Sequence, residues 1–229
     1  MTRKILVEGI GTFFLMLTIG QVVLPPDSGA LGPVAIGAVL MAMIYAGGHI
    51  SGAHYNPAVT IAVFIRGKAT IHELIGYIVL QVVAASVAAL VVLWIKGGAP
   101  LTLPDLNIAQ VMVVEFIFTF ALAYVVLNVA TARGVEGNSY YGAAIGFTVM
   151  AGAYAVGPIS GAAFNPAVSI GSLVMGGIGA LDVVLYLIAQ VLGGALAGVV
   201  FNAFDMGDDK PTTATAAEQS RLVPPGEPQ

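Results

Sequence analysis

Two stretches of ten residues decide how this sequence is interpreted: residues 50–59 read ISGAHYNPAV, and residues 159–168 read ISGAAFNPAV. They lie 109 residues apart, and the similarity extends outward from them, with 18 identical positions among the 33 that align residues 35–67 with 144–176. Glycine, proline and asparagine recur at fixed positions, which shared apolar composition alone does not explain. The chain therefore contains an internal repeat, and its Asn-Pro-Ala triplet occurs once in each half.

Each Asn-Pro-Ala triplet has the residue types that begin an α-helix. Asparagine is a preferred N-cap because its side-chain oxygen accepts hydrogen bonds from the first backbone amides of the helix. Proline is favoured at the first helical position, where its missing N–H removes no hydrogen bond. The apolar pieces that start at these triplets span only 56–66 and 165–175. At 1.5 Å per residue, such helices reach about 15 Å, which is half of a bilayer's hydrocarbon core.

The composition of the whole chain is that of a membrane protein. Of 229 residues, 58% are hydrophobic and only 9% are charged, and the mean hydropathy is +0.95. Soluble domains carry about 25% charged residues, so the class of water-soluble enzymes is disfavoured. Six apolar stretches are long enough, or nearly so, to cross a membrane as helices. They lie at 5–24, 33–50, 71–95, 107–131, 140–157 and 181–204.

Several function classes are excluded by what the sequence lacks. The net charge of −4 shows none of the excess positive charge that is typical of nucleic-acid-binding proteins. The absence of cysteine excludes disulfides and thiol chemistry. The three histidines have neither the spacing nor the acidic neighbours of a zinc site. No nucleophile–base pair or phosphate-binding loop is present. We therefore expect no catalytic residue, no metal site and no cofactor.

We predict an all-α membrane protein with six transmembrane helices and two re-entrant half-helices in an inverted 3+3 repeat. Because each half contains an odd number of spans, the second half enters the membrane from the opposite side. Repeat one covers about 1–95 and repeat two about 107–204, and together they form a single channel domain over 1–204. The polar residues 205–229 are predicted to be a disordered cytoplasmic tail.

The distribution of cations predicts the orientation of the chain. In a six-span arrangement, seven of the eight Lys and Arg residues fall on one side, and only Lys96 falls on the other. The positive-inside rule then places both termini in the cytoplasm. The membrane is expected to be the cell membrane, either a plasma membrane or an inner membrane. The seven are Arg3, Lys4, Arg66, Lys68, Arg133, Lys210 and Arg221.

Two half-helices that enter from opposite faces meet with their N-termini near the membrane midplane. Their positive dipole ends then face one point, and that field repels cations, including protons. The asparagine amides can donate hydrogen bonds to a passing oxygen atom. Non-helical backbone at this depth must be buried in protein or line a water-filled cavity, so residues 52–55 and 161–164 are expected to line a pore. The arrangement favours water or small neutral solutes.

With these features, the chain resembles the major intrinsic proteins, the aquaporin and aquaglyceroporin family, over about residues 3–204. The resemblance rests on both Asn-Pro-Ala triplets (Asn56, Pro57, Ala58 and Asn165, Pro166, Ala167), on the run His49–Thr60 and on two glutamates inside spans, Glu8 and Glu115. It implies the fold predicted above, a pore in each subunit and a homotetramer in the lipid bilayer. It also implies that the two glutamates are structural and hydrogen-bond the loops before the half-helices.

One position departs from the family pattern. Family members usually carry an arginine directly after the second triplet, in a constriction toward the outside, and this chain has Val168 there. Carried over by spacing, the remaining constriction residues are Ile36, Ala153 and Ala162, with Gly152 as the alternative to Ala153. Water-selective members usually have an aromatic residue and a histidine at the first two positions. The resemblance therefore implies an apolar, uncharged filter.

The predicted function is a passive channel for water, with small neutral solutes (ammonia, hydrogen peroxide, urea or glycerol) as further candidates. Ser169 stands where glycerol-conducting members usually have aspartate, which argues mildly against a dedicated glycerol channel. The alternative is a secondary transporter with inverted repeats, coupled through the intramembrane carboxylates Glu8 and Glu115. His49 and His54 are expected either to line the pore or to support the first loop.

Overall fold

The computed structural model describes residues 1–98, 100–101 and 107–207, and these residues form six long and two short α-helices. The short helices have nine residues each, or about 14 Å, and begin at the two prolines of the repeat. The six long helices are apolar enough to cross a membrane. The long helices are α1 (Thr2–Val23), α2 (Gly32–Ser51), α4 (Ile71–Ile95), α5 (Ile108–Thr131), α6 (Tyr141–Ser160) and α8 (Asp182–Ala203), and the short ones are α3 (Pro57–Ile65) and α7 (Pro166–Val174).

The predicted fold is confirmed, with small changes in the helix bounds. The largest are three residues: α1 begins at Thr2 instead of residue 5, and α6 continues to Ser160 instead of ending at residue 157, although Pro158 lies inside it. Asp205–Gly207, the first residues of the predicted tail, form a turn after α8, and the Gly207 carbonyl accepts a hydrogen bond from the Arg133 amide at 3.1 Å. The prediction for residues 208–229 lies outside the described residues.

The two halves of the chain pack in the same way. In the first half α1 contacts α2 and α4, and in the second half α5 contacts α6 and α8. The half-helices are exchanged between the halves, since α3 packs mainly against α8 and α7 mainly against α4. Each half therefore completes the other, and neither half-helix is supported only by its own repeat.

The halves meet along α2 and α6, which cross at a pair of glycines related by the 109-residue offset. A Cβ atom on Gly37 would lie 2.8 Å from the Gly146 carbonyl oxygen, and one on Gly146 would lie 2.6 Å from that of Gly37. Neither distance leaves room for a side chain. In lipid, helix association depends on such close backbone packing, because apolar burial gives little driving force there.

Small residues also support the half-helices. Ala85 and Ala89 of α4 are fully buried, and they are equivalent by the repeat to Gly194 and Gly198 of α8. A Cβ atom on Gly194 would lie 2.5 Å from the carbonyl oxygen of Ala58, in the first turn of α3. On the outer faces of the same two helices, Val87, Leu192 and Leu196 are exposed. The contact at Gly194 therefore fixes how closely α8 approaches the Asn-Pro-Ala end of α3.

We predict that Gly194→Ala lowers the free energy of unfolding by about 1–3 kcal/mol, because the added methyl group meets backbone that cannot move independently. Thermal unfolding of the detergent-solubilised protein measures this. The control is Gly48→Ala, whose Cβ would lie at an ordinary 3.4 Å from the Tyr141 ring. There the helix propensity of alanine should leave stability unchanged or slightly raised. Equal midpoints for the two variants would contradict the packing argument.

Candidate permeation pathway

The two asparagines cap the half-helices as their sequence predicts. Asn56 has an extended backbone, and its side-chain oxygen accepts hydrogen bonds from the amides of Ala58 at 2.8 Å and Val59 at 3.4 Å. The side-chain oxygen of Asn165 accepts one from the Ala167 amide at 3.0 Å. Both asparagines are almost fully buried. Their amide nitrogens are thereby turned away from the helices that they cap.

These amide nitrogens connect the two half-helix ends to each other. The Asn56 Nδ2 donates to the Phe164 carbonyl at 2.8 Å, and the Asn165 Nδ2 donates to the Tyr55 carbonyl at 2.9 Å. An asparagine amide has two hydrogens, and each of these bonds uses one. Within the described ranges, neither Nδ2 has a second acceptor. The two asparagines also line one cavity, so each has a donor available to a solute there.

The loops before the asparagines have an unusual backbone that is the same in both halves. Ala53 and Tyr55 have φ of 52° and 49°, and their repeat partners Ala162 and Phe164 have φ of 53° and 47°. Non-glycine residues rarely adopt this left-handed region. Glycine precedes each loop, and there the left-handed conformation costs little. Such a backbone persists only where its surroundings hold it.

In the first half, Glu8 of α1 holds the loop. Its carboxylate is fully buried and accepts four hydrogen bonds. The donors are Ser51 Oγ at 2.6 Å, the His54 amide at 2.9 Å, the Tyr55 amide at 2.7 Å and Gln81 Nε2 at 2.9 Å. Four donors occupy the acceptor positions of an ionised carboxylate.

In the second half, Glu115 of α5 makes the same set of contacts. The donors are Ser160 Oγ at 2.6 Å, the Ala163 amide at 3.0 Å, the Phe164 amide at 2.7 Å and Gln190 Nε2 at 2.8 Å. Neither glutamate belongs to the walls of the two cavities described below. Both therefore have the loop-supporting contacts that the family resemblance implies.

The loop amides are directed to the glutamates, to the preceding serine hydroxyls or back into the preceding helix, so the loop carbonyls remain as acceptors. The carbonyls of residues 52–54 and 161–163 receive no hydrogen bond from the described part of the chain. All six residues line one or both of the cavities. Of the other two residues predicted to line the pore, Tyr55 belongs to one of these walls and Phe164 belongs to neither. The loops therefore present a row of hydrogen-bond acceptors beside the two asparagine donors.

Two cavities lie along this row and share part of their walls. The narrow cavity, of about 390 Å³, contains both asparagines and is walled by residues from both halves. The wide cavity, of about 680 Å³, is walled by the end of α2, by Lys68 and by residues 126–138 with Tyr141. His54 and Val126 belong to both walls. The cavities therefore adjoin at these two residues, beside the half-helix ends.

All four residues of the predicted filter, Ile36, Ala153, Ala162 and Val168, line the narrow cavity. The alternative at the second position, Gly152, does not, because a Cβ atom there would lie 2.5 Å from the Phe164 ring. The structure thus places Ala153 in the wall. Most of the remaining wall is aliphatic, including Leu40, Ile44, Leu122, Ile145 and Val149.

The two histidines near the first loop have different surroundings. His49 is exposed and lines the wide cavity, whereas His54 both lines the pathway and supports the loop, through Thr60. Sequence reasoning missed the role of two tyrosines. Tyr77 donates to the Ser51 carbonyl at 2.9 Å, and Tyr186 donates to the Ser160 carbonyl at 2.6 Å. Their spacing of 109 residues was the available signal.

We predict that Glu8→Gln lowers the free energy of unfolding by about 1–3 kcal/mol or more. The new NH₂ group faces buried donors and leaves one of them without an acceptor. The thermal midpoint of the solubilised protein is the measurement. Glu73→Gln is the matched control, since that carboxylate lies at the start of α4, where it accepts from Lys4 and Thr70 near the surface. A drop for Glu73→Gln as large as that for Glu8→Gln would contradict the special role of the buried site.

Comparisons with known proteins agree with this geometry. The family model "Major intrinsic protein" matches residues 1–153 and 136–223. Aquaporin NIP1-4 of Oryza sativa subsp. japonica is 40% identical over 183 residues, covering 76% of this chain and 67% of that protein. Putative aquaporin NIP4-1 of Arabidopsis thaliana is 36% identical over 219 residues, covering 91% and 76%.

Among solved structures, the aquaglyceroporin from Plasmodium falciparum shares the fold, with a TM-score of 0.74 at 20% identity over 87% of this chain and 95% of that one. The fold, the repeat and the relatives agree with the resemblance inferred from the sequence. The chain therefore belongs to the major intrinsic protein family, and it is an integral, multi-pass membrane channel and not an enzyme.

Proposed function

We propose that the chain is a passive pore for water and small neutral solutes and that its paired Asn-Pro-Ala ends exclude protons and other ions. The observation that carries the proposal is the reciprocal pair of hydrogen bonds between each asparagine amide and the loop before the other asparagine. These bonds bring the N-termini of two half-helices to one point beside a cavity. The named relatives, described as aquaporins, support water as a solute.

The ion barrier follows from the backbone dipoles. Each helix N-terminus carries roughly half a positive charge, and here two of them converge. The free Nδ2 hydrogens of Asn56 and Asn165 favour a water molecule whose oxygen faces them. That water turns its own hydrogens away from the midpoint, toward the loop carbonyls on either side. A chain of waters with opposite orientations on the two sides cannot relay a proton through its centre.

The filter residues determine which neutral solutes pass. Ile36, Ala153, Ala162 and Val168 present no charge and no side-chain hydrogen-bond donor. Small side chains widen the passage, while the missing donors raise the cost of removing water from a polar solute. We therefore propose weak chemical discrimination, with ammonia, hydrogen peroxide, urea and glycerol as candidate solutes besides water.

The contacts of the carboxylates argue against the alternative of a coupled transporter. Coupling requires an ion or proton to reach Glu8 or Glu115. Both are saturated by protein donors and lie outside the cavity walls. A passive pore needs no such access.

We further propose that the protein lies in the cell membrane, either a plasma or an inner membrane, with both termini in the cytoplasm. We also propose that four copies assemble into a homotetramer in which each subunit has its own pore. The orientation rests on the cations. One end of the helices carries Arg3, Lys4, Lys68 and Arg133. Lys96 lies at the other end, where its ammonium group donates to the Leu24 and Pro26 carbonyls. On this orientation the wide cavity opens to the cytoplasm.

Stopped-flow light scattering on proteoliposomes tests the proposal, with water, urea, glycerol and ammonia measured in parallel. We expect water permeability well above that of empty liposomes, and solute flux that rises linearly through millimolar concentrations without dependence on a sodium or proton gradient. Saturation at millimolar solute together with gradient dependence would instead establish a transporter.

We predict that Val168→Cys makes the pore sensitive to mercurial reagents, because a thiol at this position would lie in the wall of the narrow cavity. The parent chain contains no cysteine and should be insensitive. The control is Val79→Cys on the outer face of α4, where the side chain is 57% exposed away from both cavities. Mercury should stop water flux only through the Val168 variant. Equal responses of the two variants would place Val168 outside the pathway.

A further inference from the structure

One face of the half-helix α7 carries a hydroxyl group beyond the filter. Asn165, Val168 and Ser172 follow one another at intervals of three and four residues, which places them on the same face of the helix. All three line the narrow cavity. Ser172 lies about one helical turn beyond Val168, or about 6 Å farther from the asparagine pair.

Ser172 lies on the outer side of the filter. The end of α7 is bound to the connection between α4 and α5, because the Met175 carbonyl accepts a hydrogen bond from the Leu101 amide at 2.8 Å. This connection follows Lys96, which marks the end of the helices opposite to the proposed cytoplasmic one. A solute that enters from this end therefore passes Ser172 before it reaches Val168.

The hydroxyl of Ser172 is not used inside the protein. Serine and threonine within a helix can donate to the carbonyl four residues earlier, as Ser86 does to Val82 at 2.9 Å. In the part of the chain that the structure describes, the Ser172 hydroxyl has neither this bond nor another partner. The residue is only 7% exposed, yet its oxygen is not among the enclosed polar atoms that lack a partner. The hydroxyl therefore opens into the narrow cavity.

Two other hydroxyl groups belong to residues of this cavity wall, and both are committed to the protein. Tyr55 donates to the Met43 carbonyl at 2.9 Å, and Ser160 donates to Glu115 at 2.6 Å. The four filter residues contribute none. Among the described residues that form the wall, Ser172 thus has the one hydroxyl that remains available to a solute.

The repeat confines this hydroxyl to one half of the chain. The equivalent position of α3 is Val63, which lines the wide cavity and has no hydrogen-bonding side chain. On the outer side, the carbonyls of residues 161–163 belong to the same wall as Ser172 and accept hydrogen bonds only. A serine hydroxyl also donates. The pair of groups suits small molecules that carry both N–H or O–H groups and an acceptor oxygen.

We propose that Ser172 is a specificity-determining residue, whose hydroxyl donates a hydrogen bond to the oxygen atom of small amides and polyols as they enter the apolar filter. The bond replaces one that such a solute loses with its hydration water, and so it lowers the cost of entry. This inference rests on the proposed pore and names its solute class. Urea and glycerol depend on Ser172 more strongly than water, which keeps water neighbours in single file.

The position of the hydroxyl is tested without transport, by replacing it with a thiol. The parent chain has no cysteine, so Ser172→Cys introduces a single reactive group. We expect hydroxyethyl methanethiosulfonate, a small uncharged reagent, to modify this variant in liposomes, as measured by mass spectrometry of the intact protein. The control is Ser86→Cys, outside both cavity walls, where a thiol lacks the water that it needs to ionise. Equal modification of the two variants, or none at residue 172, would overturn the inference.

The role in permeation is tested with Ser172→Ala, which removes the hydroxyl, and Ser172→Thr, which keeps it. Ser86→Ala is the matched control, because it removes a hydroxyl that lies outside both cavity walls. The thermal midpoint of Ser172→Ala should not fall below that of the wild type, since no hydrogen bond within the protein is lost. A marked fall would show that the protein itself uses the hydroxyl, and would overturn the inference.

We expect Ser172→Ala to lower the ratios of urea and glycerol permeability to water permeability by about two- to tenfold, the range for one lost hydrogen bond. Ser172→Thr should keep most of both ratios, and Ser86→Ala should leave them unchanged.

Unchanged ratios in Ser172→Ala, or the same fall in Ser172→Thr, would overturn the inference while leaving a conducting pore intact. A wild type that conducts water but neither urea nor glycerol would also overturn it and leave the pore in place. If wild-type liposomes conduct none of the three above empty ones, the proposed pore itself is wrong.

Discussion

The structure depends on one reciprocal contact: each asparagine at the start of a half-helix donates a hydrogen bond to the loop that precedes the other. The two bonds, at 2.8 Å and 2.9 Å, hold two helix N-termini together although their like dipole ends repel. The contact requires the loops to present carbonyl groups at Tyr55 and Phe164, and hence requires the left-handed backbone at those positions. The remaining features of the fold serve to hold that backbone.

Buried charge is the means by which the loops are held. A carboxylate inside a membrane span is costly, and here each of the two is surrounded by four donors that include two consecutive loop amides. The glutamates therefore act as templates for the loop conformation. They also take two amides of each loop, and the preceding serine takes a third, so that beside the half-helix ends the loops offer acceptors and the two asparagines offer donors. The same arrangement that stabilises the fold thus gives the pathway its hydrogen-bonding pattern.

Much of this fold follows from the sequence because the signals are strong and repeated. The caps at Asn56 and Asn165, the short apolar runs and the 109-residue offset together predict two half-helices on an inverted repeat, and the structure confirms them. The hydrogen bonds made by individual side chains could not be predicted from the sequence. Periodicity places Tyr77 and Gln81 on one helix face, but only coordinates show that they reach Ser51 and Glu8. The choice of Ala153 over Gly152 likewise needed the position of the Phe164 ring.

The central claim is that the paired half-helix ends pass water and block protons. Its most direct test measures water permeability and proton flux together, in liposomes that contain the wild type or the double variant Asn56→Asp with Asn165→Asp. We expect fast water flux and background proton flux for the wild type, and raised cation or proton flux for any double variant that still folds, because carboxylates offset the positive helix ends. A wild type whose proton flux rises with its water flux, or a folded double variant that still excludes cations, would contradict it.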